Sequence, residues 1–193
     1  APLVGKLETF AGQPADLPGR WPWFRGEQLD GIAHDTPPLA RSWPEGGPPR
    51  LWSLELGDGY AGAVIQDGVV YVLDYLRDVQ ADALRSFSLA DGSEIWRFSY
   101  PVEIKRNHGM SRTVPAVTEQ FCVAVGPKCH VSSVNPTTGQ EHWLMDLVER
   151  FGATVPPWYN GQCPLVEDGR VILAIGGDSL LIAVDGMTGE VIW

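Results

Sequence analysis

The sequence predicts an all-β fold of about three four-stranded antiparallel sheets set around a common axis, and three observations predict it. Three stretches end alike: Asp91-Gly92-Ser93-Glu94-Ile95-Trp96, Thr138-Gly139-Gln140-Glu141-His142-Trp143 and Thr188-Gly189-Glu190-Val191-Ile192-Trp193. Their turn glycines lie 47 and 50 residues apart, and a further Trp52 precedes Trp96 by 44. Between them, apolar runs alternate with Asp-Gly or Gly turns. Short β segments repeating at this period mark the blades of a β-propeller.

Residues 1–50 are rich in Pro and Gly, show little periodicity, and read as an extended strap. The blade array occupies 51–193. It opens with a predicted isolated strand at 51–56 that ends at Gly57-Asp58-Gly59. Three units follow, near 60–99, 113–147 and 162–193, each with four predicted strands. Asp67-Gly68 and Asp168-Gly169 supply the positive φ that tight hairpins need. Gly92, Gly139 and Gly189 do the same between the third and fourth strands. The indoles of Trp52, Trp96, Trp143 and Trp193 then cover the seam to the next blade, each N–H seeking a carbonyl. Propellers close with four to eight blades, so a partial array is expected, with the remaining blades C-terminal to Trp193.

Composition narrows the function classes. A net charge of −10 argues against nucleic acid, whose phosphates require a basic face. No apolar run is long enough to span a membrane. Three cysteines leave at least one unpaired. In a 121–125/129–134 hairpin, Cys122 and Cys129 fall about 13 Å apart, beyond disulfide reach. Cys129 with Cys163 stays open as a pair. The sequence contains no Cys-x-x-Cys, no His-Glu-x-x-His, no nucleophile elbow and no phosphate-binding loop.

The turn-Gly–Trp units resemble the tryptophan-docking repeats of the pyrroloquinoline-quinone (PQQ)-type propellers. Trp21-Pro22-Trp23-Phe24-Arg25-Gly26, Asp30-Gly31 and Trp43-Pro44-Glu45-Gly46-Gly47-Pro48 look like the N-terminal strap of bacterial PQQ-binding-like repeat proteins. Asn107-His108-Gly109-Met110-Ser111-Arg112-Thr113-Val114-Pro115-Ala116, Gly126-Pro127-Lys128-Cys129-His130 and Val155-Pro156-Pro157-Trp158-Tyr159-Asn160-Gly161-Gln162-Cys163-Pro164 look like a subgroup of that family, the predicted quinoproteins. The resemblance implies a bacterial, exported, periplasmic protein. It also implies PQQ with calcium as the cofactor if the chain is an alcohol or sugar dehydrogenase. No two cysteines are adjacent, in contrast to the vicinal pair of the true PQQ dehydrogenases.

Blade geometry predicts which loops share a face. The interblade connections 57–62, 100–112 and 148–162 should meet the turns 74–82, 126–128 and 176–179. That face gathers Tyr60, Lys105, Arg106, His108, Arg112, Lys128, His130, Trp158, Tyr159 and Gln162, a locally basic and aromatic set suited to an anionic ligand. Trp158 and Tyr159 could stack on a planar ring, Arg112 fork a carboxylate and His108 move a proton. Equally, Arg112 could tie its loop to a carbonyl, and the histidines could be structural. No metal-ligand spacing is present. Asp74, Asp78 and Asp82 read as solvated loop surface. The expected function is binding of a ligand or partner protein on the loop-rich face without turnover. The alternatives are a quinoprotein dehydrogenase and an outer-membrane assembly scaffold.

Overall fold

The computed structural model describes residues 3–34, 38–105 and 110–193. In chain order its elements are β1 (Lys6–Thr9), β2 (Val64–Gln66), β3 (Val69–Leu76), β4 (Ala81–Ser88), β5 (Glu94–Pro101), β6 (Ala116–Val117), β7 (Cys122–Val125), β8 (His130–Val134), β9 (Glu141–Asp146), the helix α1 (Leu147–Phe151), β10 (Leu165–Glu167), β11 (Arg170–Ala174) and β12 (Leu181–Asp185). They form three antiparallel sheets, ordered β1-β5-β4-β3-β2, β6-β7-β8-β9 and β10-β11-β12. The last residues turn back along β12: Ile192 N donates to Ala183 O at 2.8 Å and Ala183 N to Trp193 O at 2.9 Å. The chain is therefore a partial propeller of three blades.

Local chemistry fixes each corner. Asp67 (φ 50°) and Gly68 (φ 73°) turn β2 into β3, and Asp168 (φ 48°) and Gly169 (φ 75°) turn β10 into β11. Between third and fourth strands the Gly92, Gly139 and Gly189 amides donate to the Ser88, Asn135 and Asp185 carbonyls at 2.8–2.9 Å. Asn135 Oδ1 and Asp185 Oδ1 each accept two further turn amides.

The first two sheets are buried on both faces, whereas the third buries Val171, Leu173, Ile182 and Val184 against the second and leaves Leu165 and Leu181 exposed. On β7, Cys122 and Ala124 pack towards the first blade while Val123 and Val125 pack towards the third. The junctions are closed by indoles in one repeated geometry. Trp52 Nε1 donates to Leu89 O, Trp96 Nε1 to Pro136 O and Trp143 Nε1 to Gly186 O, all at 3.0 Å. Each acceptor stands three residues before the next corner glycine. A Cβ on Gly92, Gly139 or Gly189 would come within 2.6–2.9 Å of the docked ring. Trp193 is half-exposed.

Three expectations are corrected. Residues 51–56 form no strand, because no described strand lies beside them to supply a ladder; the Trp52 indole anchors them. The strap is not free of strands. β1 pairs with β5 as a fifth strand of blade one, Leu7 opposite Phe98. The strap then crosses the corner end, and Trp21 bridges Ile65 beside the axis. Finally, Asp74 and Asp82 are fully buried, since β3 and β4 run on and shrink the predicted 74–82 loop to a single 3-10 turn at Arg77–Val79.

Candidate functional site

The interblade connections do meet the second-to-third-strand turns at one end of the molecule. Val102 N donates to Gln80 O, Asn160 N to Pro127 O and Asp178 N to Phe151 O. Tyr60 N reaches Ser111 O, and Arg77 pairs with Asp58.

The sequence-nominated residues divide into two groups within this end. Arg112, Tyr159 and Gln162 are drawn into the framework. Arg112 Nη2 donates to Tyr159 O at 3.0 Å, and its guanidinium lies against Gly161, where a Cβ would stand 2.9 Å from Nε. Tyr159 takes φ 63°, and its hydroxyl accepts the Lys105 amide at 2.9 Å. Gln162 acts as an artificial strand edge, its Nε2 donating to Ala174 O and its Oε1 accepting from Ala174 N at 2.6 and 2.8 Å. Arg112 thus ties a loop to a carbonyl, the structural one of its two expected roles.

Lys128 and His130 stand apart from that group. They line a cleft of about 790 Å³ with Leu3, Val79, Gln80, Pro101, Val102, Glu103, Asp146 and Glu149. Here the expected basic character is reversed: three carboxylates face one lysine and an imidazole. Burial pushes His130 below its ordinary value; Asp146, with Oδ2 3.6 Å from Nε2, pulls the other way, and Lys128 adds to the depression. The ring edge meets Tyr100 at 5.4 Å, and Nδ1 is buried without a partner. Trp158 is 59% exposed and Tyr60 69%, so both present aromatic surface. His108 and Arg106 lie outside the described residues.

Sequence reasoning missed a buried cluster behind the cleft. Asp82 Oδ1 accepts from Ser111 Oγ and Oδ2 from Tyr100 Oη at 2.9 Å. Burial pushes the Asp82 carboxyl up to about 6; the two hydrogen bonds pull it down and Asp74 adds to the rise. Gly126 lies so close that a Cβ there would collide with Tyr100 Oη. It also missed Asn160, whose Nδ2 donates to Cys129 Sγ at 3.3 Å while Oδ1 accepts from Gln162 N. Cys129 and Cys163 are both free thiols, so the disulfide left open by the sequence does not form; Cys163 Sγ instead accepts from Val114 N.

The described residues present no assembled site for a calcium-bound quinone. Among them no group of three His, Cys, Asp or Glu side chains is placed to hold a metal ion. Arg112 engages the Tyr159 carbonyl through Nη2 while its Nε is buried without a partner, and the cleft beside Lys128 holds three carboxylates.

A family model described as outer membrane protein assembly factor BamB matches residues 80–193. No curated protein matches the chain. Among solved structures, the chain is similar to quinohemoprotein alcohol dehydrogenase ADHIIG from Pseudomonas putida HK5, at TM-score 0.53 and 20% identity over 74% of this chain and 22% of that one. It is also similar to quinohemoprotein alcohol dehydrogenase from Comamonas testosteroni, at 0.52 and 22% over 72% and 21%. A europium-containing methanol dehydrogenase aligns at 0.50 and 16% over 72% and 25%. Likeness at these identities shows the fold alone, and the chain spans a quarter or less of each of these structures.

Proposed function

We propose, since this chain belongs to the PQQ-like repeat family described as outer membrane protein assembly factor BamB, that it is a non-catalytic binding platform. It docks a partner protein of the cell envelope on its loop-rich end and works in the periplasm. One observation carries this reading: at that end Arg112, Tyr159 and Gln162 are tied into the framework, while the Trp158 and Tyr60 rings are exposed. Arg112, Tyr159 and Gln162 hold backbone groups in place. Trp158 and Tyr60 stand exposed on loops so fixed, and such rigid aromatic anchors are what protein interfaces use. The family description supports the same reading.

The test places a photo-crosslinking residue at position 60, 158 or 187 of the intact protein in its native cells. Position 187 lies at the corner end and serves as control. Discrete protein adducts from 60 and 158 but not 187 are expected. In parallel, PQQ and calcium are added to the purified intact protein. A bound-quinone spectrum with dye-linked alcohol or sugar oxidation overturns the reading, as does an identical adduct pattern from all three positions.

A further inference from the structure

The internal repeat places two equivalent grooves side by side, one filled and one open. Trp96 and Trp143 are 47 residues apart and hold the same place on β5 and β9, the outer strands of blades one and two. Along β5 the groove is filled by β1, in the register Lys6–Ser99, Leu7–Phe98, Glu8–Arg97 and Thr9–Trp96. The Leu7 side chain reaches the corner of the next blade, where a Cβ on Gly139 would meet it at 2.8 Å and the Trp96 ring at 2.6 Å.

Along β9 the same parts are present without an occupant. Among the described residues β9 ends its sheet, bonded to β8 alone. Next to it lies a cavity of about 430 Å³ lined by Trp143, Leu144, Met145, Asp146, Glu149, Arg150, Thr188 and Gly189. At Gly189 the nearest atoms all belong to the Trp143 ring, and no counterpart of Leu7 is among them. Arg150 reaches into the cavity, through weak contacts of 3.4 Å to Gly189 O and 3.6 Å to Met145 Sδ.

We infer that the β9 edge and this groove between blades two and three accept an extended segment of a partner polypeptide, added antiparallel to β9 as β1 is to β5. Carrying the filled register forward by one repeat specifies the occupant. Its aliphatic residue, the counterpart of Leu7, faces Met145 and seats against Gly189 and Trp143. The preceding residue, the counterpart of Lys6, lies opposite Asp146, where a cation is favoured as a cross-strand partner. The ladder supplies affinity and these two positions supply selectivity. This groove lies on the outer rim, separate from the exposed aromatics at 60 and 158, so neither idea depends on the other.

The probe is a fluorescent synthetic peptide with the sequence of residues 4–10, titrated against the intact protein by anisotropy with amide-exchange mapping. Saturable binding is expected, with new protection in β9 and unchanged protection in β5. Replacing the peptide's leucine by aspartate, or methylating the amides on its pairing edge, should weaken binding about tenfold or more. The protein variant Asp146→Asn keeps a helix-capping side chain while removing the charge, and should weaken binding about twofold to fivefold at low salt. Absence of binding at millimolar peptide overturns the inference, as does equal binding of the methylated peptide. Protection gained in β5 instead, showing exchange with β1, overturns it too. So does sedimentation showing that β9 edges pair two copies of the protein.

Discussion

The Tyr100 hydroxyl donates a 2.9 Å hydrogen bond to Asp82 Oδ2, and that carboxyl group has no exposure to water. The pair joins the third and fourth strands of blade one directly beneath Gly126, at the turn of blade two. Because burial raises Asp82 to about 6, its proton favours the folded state. The sign follows: the stabilisation is fully present below the unfolded value near 3.8 and is lost as pH rises through about 6. His130 acts oppositely, since its folded value is depressed and its stabilisation is lost as pH falls. The difference in thermal midpoint between wild type and Asp82→Asn should therefore shift in favour of wild type on lowering pH from 7 to 5. The full range corresponds to roughly 2–3 kcal/mol. A difference that does not change with pH contradicts this.

Corner glycines separate the indole contact from backbone strain. Gly139 and Gly169 have similar φ, 73° and 75°, yet only Gly139 has a ring above it, with nothing within 4 Å of a Cβ at Gly169. Both Gly→Ala changes incur the left-handed penalty, on the order of 1 kcal/mol. Gly139→Ala should cost at least about 1 kcal/mol more because the indole must move. Urea denaturation of the two variants measures the gap directly.

Indole removal should scale with the acceptor left behind. Pro136 O also accepts from Tyr71 Oη and Gly186 O also accepts from Ser133 Oγ. Trp96→Phe and Trp143→Phe therefore keep one partner on each carbonyl and should cost about 1–2 kcal/mol each. Trp96→Ala, which empties a buried indole site, should cost about 3–5 kcal/mol. The measurement is the shift in denaturation midpoint.

Arg85 bridges Asp74 at 2.7 Å and Glu94 at 2.8 Å, and Asp74 is 1% exposed. Arg85→Met leaves that carboxylate buried with only the Gly57 amide, and should destabilise by about 3–5 kcal/mol. The double variant Arg85→Met with Asp74→Leu should recover much of the loss. No recovery would show that the arginine acts through something other than this pair.

At the loop-rich end, Arg112→Ala should lower the melting temperature by several degrees, because Tyr159 O and the Gly161 turn lose their support. Tyr60→Ala, at a 69% exposed position, should leave it within about 0.5 kcal/mol of wild type. Calorimetry of both variants decides which of the two residues belongs to the scaffold.

The repeat was readable because its signals are short in sequence: a glycine at positive φ with an indole four residues later recurs at near-constant spacing, although each indole docks on the corner of the following blade. The strap strand was not, because Lys6–Thr9 carries little contrast in polarity and its partner β5 lies some ninety residues away. Asp82 was misread for a related reason, since its spacing from Asp74 and Asp78 suited a loop and only the long β3–β4 pairing buries it. The convergence of Arg112 and Tyr159 followed from blade topology, whereas their carbonyl and amide partners did not. The acidic cleft was hidden because Glu103, which follows blade one, meets Asp146 and Glu149 at the end of blade two only in the folded chain.

The docked indoles also give the array a direction in time. Trp52 waits 37 residues for Leu89, Trp96 waits 40 for Pro136 and Trp143 waits 43 for Gly186. During synthesis each latch emerges ahead of the corner it will meet, Trp52 before blade one is made and Trp96 and Trp143 on the outer strands of blades one and two. Growth from the N-terminus thus fastens every new unit to chain already made, and no blade must hold an open flank for longer than the next corner takes to arrive.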